Sequence, residues 1–158
     1  RLHTVEDYAS VSQEDLECWI RSTGFFRNKA KNIRACARQL LDLHGGRIPR
    51  DLASLAALPG VGRKTANVVL GNAFDINAGM VVDTHIGRLS RRLGLSRHTD
   101  PVKVERDLMA IFPSSTWKDL SHWLISHGRA VCQARRPACE ICSLAIQCPS
   151  AGKALSRK

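Results

Sequence analysis

Aromatic side chains are scarce in this chain: they make up 5% of its 158 residues, with a single Tyr, three Trp and four Phe. A protein that holds single-stranded nucleic acid by stacking needs a platform of exposed rings, and this composition argues against one. Acidic residues are also few, 14 against 24 Lys and Arg, which leaves a formal net charge of +10. That excess favours a polyanionic partner, either nucleic acid or an anionic membrane surface, bound in a salt-sensitive way. No apolar run approaches the ~18 residues of a membrane span, and no basic-then-apolar leader opens the chain. An intracellular protein without a secretion signal is expected, cytoplasmic and nucleoid-associated if bacterial. Strand-like alternation never extends beyond a few residues, and there are no internal repeats, low-complexity tracts or long linkers.

What is present reads as helix. An apolar fraction of 44% is enough for a buried core in one domain or two small lobes. Ser12 is suited to cap a helix carrying Leu16, Trp19 and Ile20 on one face until Thr23-Gly24. A second helix is predicted over 28–44 from Ala30, Ile33, Ala37, Leu40 and Leu41, with Gly45-Gly46 ending it. Short helices follow over 51–57 and 63–74. Asp83 is expected to cap a helix through Leu93, with Arg88, Arg91, Arg92 and Arg97 available to solvent or phosphate. Asp100-Pro101 opens another to Ile111. Leu120, Trp123, Leu124 and His127 recur at helical spacing in a helix running toward Cys132. The fold class is therefore all-α. Its expected organisation is a helical lobe over 1–113, containing a helix-hairpin-helix at 51–74 and the Asp83 helix at 83–93, and a C-terminal lobe over 114–158. Cys18, Cys36 and the three Trp are assigned to packing.

Two stretches carry chemistry. The first is Leu58-Pro59-Gly60-Val61-Gly62-Arg63-Lys64-Thr65-Ala66-Asn67, followed by Val81-Val82-Asp83-Thr84-His85. Two short helices joined by a glycine hairpin aim free backbone N–H groups at a phosphate, because the first turn of the second helix leaves its donors unpaired. Pro59 presets the turn, and Gly60 and Gly62 are expected to accept positive φ and close approach of a phosphodiester. By spacing alone, Lys64 suits a phosphate contact and Asp83 suits a helix cap. The second stretch holds Cys132, Cys139, Cys142 and Cys148, spaced C-x6-C-x2-C-x5-C. This clustering indicates metal ligation more than a disulfide framework, and spacing alone leaves both Zn²⁺ and an iron-sulfur cluster open.

Together these motifs resemble the helix-hairpin-helix (HhH-GPD) DNA glycosylases, and within them the endonuclease III group of bifunctional glycosylase and AP lyases. The chain opens in what looks like the middle of that pattern: the N-terminal helices of complete members have no counterpart here. The resemblance implies base excision repair on double-stranded DNA carrying a damaged base or abasic site, by a monomer holding a 4Fe-4S cluster on its four late cysteines, with no membrane partner. It makes Lys64 the nucleophile and Asp83 the essential carboxylate. It gives DNA-binding roles to Leu58, Pro59, Gly60, Val61, Gly62, Arg63, Thr65 and His85, and to Arg135 and Arg136 on the first cysteine loop. Oxidised pyrimidines are the implied substrates.

A lysine that attacks the sugar C1′ must be a neutral amine, whereas an ordinary Lys titrates near ~10.4. Desolvation and nearby positive charge are the means of lowering it. Two alternatives stand beside this reading. The adenine-DNA glycosylase type would lack a lysine at position 64 and the Asp-Thr-His run at 83–85. A non-catalytic or monofunctional DNA-binding fragment would keep the hairpin and the cysteines without turnover.

Overall fold

The computed structural model describes residues 2–153; Arg1 and 154–158, the tail of the expected C-terminal lobe, lie outside the described residues. All the regular elements among them are helical: α1 (Val5–Ser10), α2 (Gln13–Trp19), α3 (Phe26–His44), α4 (Leu52–Ala56), α5 (Arg63–Ala73), α6 (Thr84–Arg92), α7 (Pro101–Ile111) and α8 (Trp117–Ala130). The chain divides into two compact units, Arg1–Ala66 and Asn67–Lys158, and the division falls inside α5.

In the first unit, α1 and α2 pack on the long α3. The short α1 is absent from the helices read from the sequence, although Val5, Tyr8 and Ala9 recur in it at helical spacing. Its start is written by a capping box, in which Thr4 Oγ1 accepts from Asp7 N and Asp7 Oδ2 accepts from Thr4 N. Ser12 caps α2 as predicted, accepting from Asp15 N at 3.0 Å. The helix stops at Trp19, earlier than expected, and the Thr23 hydroxyl bonds the Ile20 carbonyl at 2.8 Å, a local side-chain alternative to helical pairing. α3 begins two residues before its predicted start, behind Phe25, which is left-handed (φ 57°) and 90% exposed. Gly45 and Gly46, both at positive φ, end α3, with Gly46 N–H returning to Leu40 O. Two packing expectations fail here. Cys18 is exposed and Cys36 only half-buried, although burial pushes the Cys36 thiol up. Trp19 is 42% exposed.

In the second unit the core gathers Met80, Val82, Ile86, Leu89, Val104, Leu108 and Leu124. Full burial of such a side chain is worth about 1.5–3 kcal/mol. Asp100 caps α7, with Pro101 at its first position, as expected. On α8, Leu124 takes the inward position and Trp123, one residue round the helix, is 63% exposed. Of the three tryptophans Trp117 packs on the core, with its Nε1–H donating to Phe112 O at 2.8 Å.

The segment leading into Asp83 is fastened from beneath. Asn67 on α5 donates through Nδ2 to Met80 O and to Glu105 Oε1 of α7. Both polar residues are buried, Asn67 at 3% and Glu105 at 4% exposure. A Cβ on Gly79 would collide with Glu105 Oε1 and stand 2.9 Å from Asn67 Nδ2. Gly79→Ala is therefore expected to lower stability by about 1–3 kcal/mol, the usual range for overpacking, read as a lower urea midpoint at unchanged slope.

Candidate functional site

The hairpin belongs to the first unit. Asp51 caps α4 by accepting the Ser54 amide at 2.8 Å, a bond that holds the Asp51 carboxyl below the usual carboxylate range. Leu55 and Leu58 are buried and anchor the turn. Val61 N–H donates to Leu58 O at 3.0 Å, closing a four-residue turn with Pro59 second and Gly60 third. Gly60 sits at φ +76°, the left-handed value that the third position of a type II turn requires. It is also pressed against α3, where an added Cβ would lie 2.8 Å from Asn32 Cβ.

Gly62 departs from the expectation. It is not in the left-handed region, and a Cβ there would meet nothing within 4 Å. Its carbonyl accepts from Ala66 N at 3.0 Å, which starts α5. Its role is therefore openness on the surface, and the turn's conformational demand falls on Gly60 alone. Arg63, Lys64 and Thr65 follow in the first turn of α5, all exposed, where helix geometry leaves amide donors without an intrahelical acceptor. Leu58 is buried at 4% exposure, so it anchors the turn and does not present its side chain to the exterior.

Asp83 belongs to the second unit. Its Oδ1 accepts from His85 N at 2.8 Å and Ile86 N at 2.9 Å, capping α6. Among the described residues Oδ2 takes no hydrogen bond, so one oxygen holds the helix and the other is spare. His85 is half-buried, and its Nδ1 faces Arg88 Nη2 at 3.2 Å. Guanidinium only donates, so the imidazole proton belongs on Nε2, which leaves that nitrogen a donor.

Arg88 and Arg92 differ from the sequence expectation. Instead of lying open to solvent, both turn toward α8 and the cysteine loop. Arg88 Nη2 donates to Gly128 O at 2.9 Å and Cys132 O at 3.0 Å. Burial lowers the Arg88 pKa from its ordinary value, and the neighbouring positive charge of Arg92 adds to the effect. Arg92 donates to Gln133 O at 2.8 Å, to Ala134 O at 2.7 Å and to Cys132 Sγ at 3.2 Å. The close approach of α6 and α8 depends on Gly128, where a Cβ would lie 3.2 Å from both Arg88 Nη2 and His85 Cβ. The i, i+4 spacing of the two arginines, with the acceptor loop some forty residues on, gave no signal for this role. Arg91 and Arg97 are exposed, as expected.

Cys132, Cys139, Cys142 and Cys148 line one cavity together with Leu89, Leu93, Val131, Pro137, Ala138 and Ala145, with an empty volume of about 350 Å³ including its mouth. All four thiols are free and half-buried. They surround the space without converging: among the described residues no three His, Cys, Asp or Glu stand together as a set for a single metal ion. The Cys148 thiol donates to Arg92 O at 3.4 Å. Arg135 and Arg136 are exposed on the loop that the Arg92 side chain grips. Four soft donors around an apolar space fit a multinuclear thiolate-held group.

A family model described as HhH-GPD superfamily base excision DNA repair protein matches residues 1–114. The chain belongs to this family. Within the HhH-GPD superfamily it is 54% identical over 139 residues to endonuclease III of Synechocystis sp. and 46% identical over 144 residues to that of Bacillus subtilis. These alignments cover 88% and 90% of the chain, which spans 64% and 65% of the two relatives' lengths. A solved structure of a trapped endonuclease III–DNA covalent intermediate superposes with a TM-score of 0.89 at 45% identity, over 94% of this chain and 70% of that one. Among the described residues, no helix is long and apolar enough to cross a membrane.

The two glycines predict different variants. Gly60→Ala forces both a strained φ and a contact with Asn32, so a loss of more than about 1 kcal/mol is expected. Gly62→Ala, whose Cβ would meet nothing within 4 Å, should stay within about 0.5–1 kcal/mol of the parent. Chemical denaturation separates the two.

Proposed function

We propose that the protein is a base excision repair enzyme of the endonuclease III type, a bifunctional DNA N-glycosylase and AP lyase. It removes oxidised or ring-saturated pyrimidines from duplex DNA and cleaves the abasic strand, acting as an intracellular monomer, cytoplasmic and nucleoid-associated if bacterial. The observation that carries the reading is Lys64, an exposed primary amine in the first turn of a helix that opens directly behind the glycine turn. Support comes from the net charge of +10, which suits a phosphate partner, and from endonuclease III relatives, one of which has been captured on DNA as a covalent intermediate.

The chemistry follows from these groups. A base is reached only once its nucleotide leaves the stack. The backbone of Leu58–Gly62, with Arg63, Thr65 and the Nε2–H of His85, holds phosphates and sugar around that nucleotide. Lys64 is exposed, so its desolvation has to come from the duplex that covers it, and loss of water favours the neutral amine. The Nζ lone pair then attacks C1′, the C1′–N bond breaks, and the base leaves with the electron pair and takes a proton. The C1′–O4′ bond then opens, O4′ taking a proton and Nζ giving one up, and the resulting imine permits loss of a C2′ proton and rupture of the C3′–O bond, cutting the strand 3′ to the lesion. Hydrolysis of the imine returns Lys64. Asp83, with Oδ1 held by two amides, keeps Oδ2 to stabilise the cationic sugar and move protons.

Cys132, Cys139, Cys142 and Cys148 are the proposed ligands of a 4Fe-4S cluster. A cluster binds each thiolate through a different iron, which suits sulfurs spread around a cavity, whereas Zn²⁺ needs all four at about 2.3 Å from one centre. When bound, the cluster supplies a rigid anchor for the loop presenting Arg135 and Arg136 to phosphates.

Borohydride trapping on a duplex with one abasic site tests the reading at low salt. The parent is expected to give a covalent adduct and Lys64→Ala none, while Asp83→Asn should slow adduct formation by about 10²-fold or more. Binding without an adduct in the parent would leave a monofunctional or purely binding protein.

A further inference from the structure

We propose, resting on the cluster reading above, that His127 is a hydrogen-bond donor to the cluster's thiolates and, with Arg92, sets how readily the cluster is oxidised and lost. His127 lies in the last turn of α8 and lines the cysteine cavity. Its Nε2 is 3.6 Å from Cys142 Sγ, an ordinary separation for a bond to sulfur. A coordinated thiolate carries no proton and can only accept, so the imidazole hydrogen must sit on Nε2. The ring's place is set by the chain that leaves α8, since the carbonyl of His127 accepts from Val131 N at 2.9 Å and Cys132 N at 2.8 Å.

The four sulfurs are therefore unequal. Cys132 receives a guanidinium donor from α6 and Cys142 an imidazole donor from α8. Cys148 faces a carbonyl oxygen, that of Arg92, which gives a thiolate nothing. Donation to a ligating sulfur withdraws charge from it, favours the more reduced form of the cluster and hinders release of the ligand. The two donors come from two different helices, and Arg92 also holds the carbonyls of Gln133 and Ala134 on the loop that leads to Arg135 and Arg136. A histidine that merely filled space there would be replaceable by any side chain of similar volume.

The test uses the full chain purified with its iron, comparing the parent with His127→Leu, which keeps bulk without a donor, and His127→Gln, whose amide can donate from a similar distance. Protein-film voltammetry reads the one-electron couple, and absorbance of the brown chromophore under a chelator reads retention. In His127→Leu the oxidised-to-reduced ratio at the parent's midpoint should rise about tenfold, a downward shift of about 59 mV. Iron release should quicken by about tenfold or more, and His127→Gln should restore most of both. Should His127→Leu hold no iron while His127→Gln does, the retention arm alone supports the donor. Parental potential and retention in His127→Leu, or equal losses in both variants with helical content unchanged, would overturn the role of His127. A parent that takes up no iron after reconstitution with ferrous iron and sulfide would overturn the cluster reading, and this inference with it.

Discussion

The second unit depends on helix α6 being fastened at both ends. At its start Asp83 Oδ1 takes up two first-turn amides; from its middle onward Arg88 and Arg92 donate to backbone carbonyls of Gly128, Cys132, Gln133 and Ala134. Hydrogen bonds from a charged donor are worth about 1.5–3 kcal/mol when sheltered from water, as the one to the buried Gly128 is, and less at the exposed Gln133 and Ala134. Between the two ends Ile86 and Leu89 are fully buried. One short helix thus carries the carboxylate at one end and governs the cysteine loop at the other. That arrangement explains why a helix of nine residues, too short to be stable alone in water, can hold the Asp83 carboxylate in one orientation.

The two guanidinium groups also settle a conflict at the C-terminus of α8. Its last carbonyls would be orphaned where the chain turns into the cysteine loop, and they carry the negative end of the helix dipole. Arg88 meets both needs at once, and Gly128 admits it by having no Cβ. His127 then leaves α8 with its ring on the cavity side. Charge, helix end and cysteine loop are thus joined through the Arg88 and Arg92 hydrogen bonds.

In the first unit the corresponding constraint is conformational. Gly60 accepts a left-handed φ and a contact with Asn32 that no other residue tolerates. This seats the turn on α3 and lets α5 begin with Arg63, Lys64 and Thr65 outermost. Gly62 serves by leaving space. The two glycines look alike in the motif but do different work, and the difference arises because α3 lies against one of them only.

Local signals were enough wherever a residue acts on its own neighbours. Ser12, Asp83 and Asp100 each cap the helix that their position announces, because a side-chain oxygen three residues or fewer from an amide needs no tertiary help. The all-helical class and the inward place of Leu124 on α8 follow from periodicity, and the motif order 58–67, 81–85, 132–148 carried the family. The chain alone could not say which charged and aromatic residues face inward. Arg88 and Arg92 read as a solvent face because their acceptors lie some forty residues away and exist only once α8 ends beside α6. Trp19 and Trp123 read as core because helical spacing does not show where a stripe's edge meets the surface. Sequence determined the all-helical class, most of the helices and several of their caps; tertiary structure decided the partners of the charged side chains, since a buried donor is defined by the acceptor that folding brings to it.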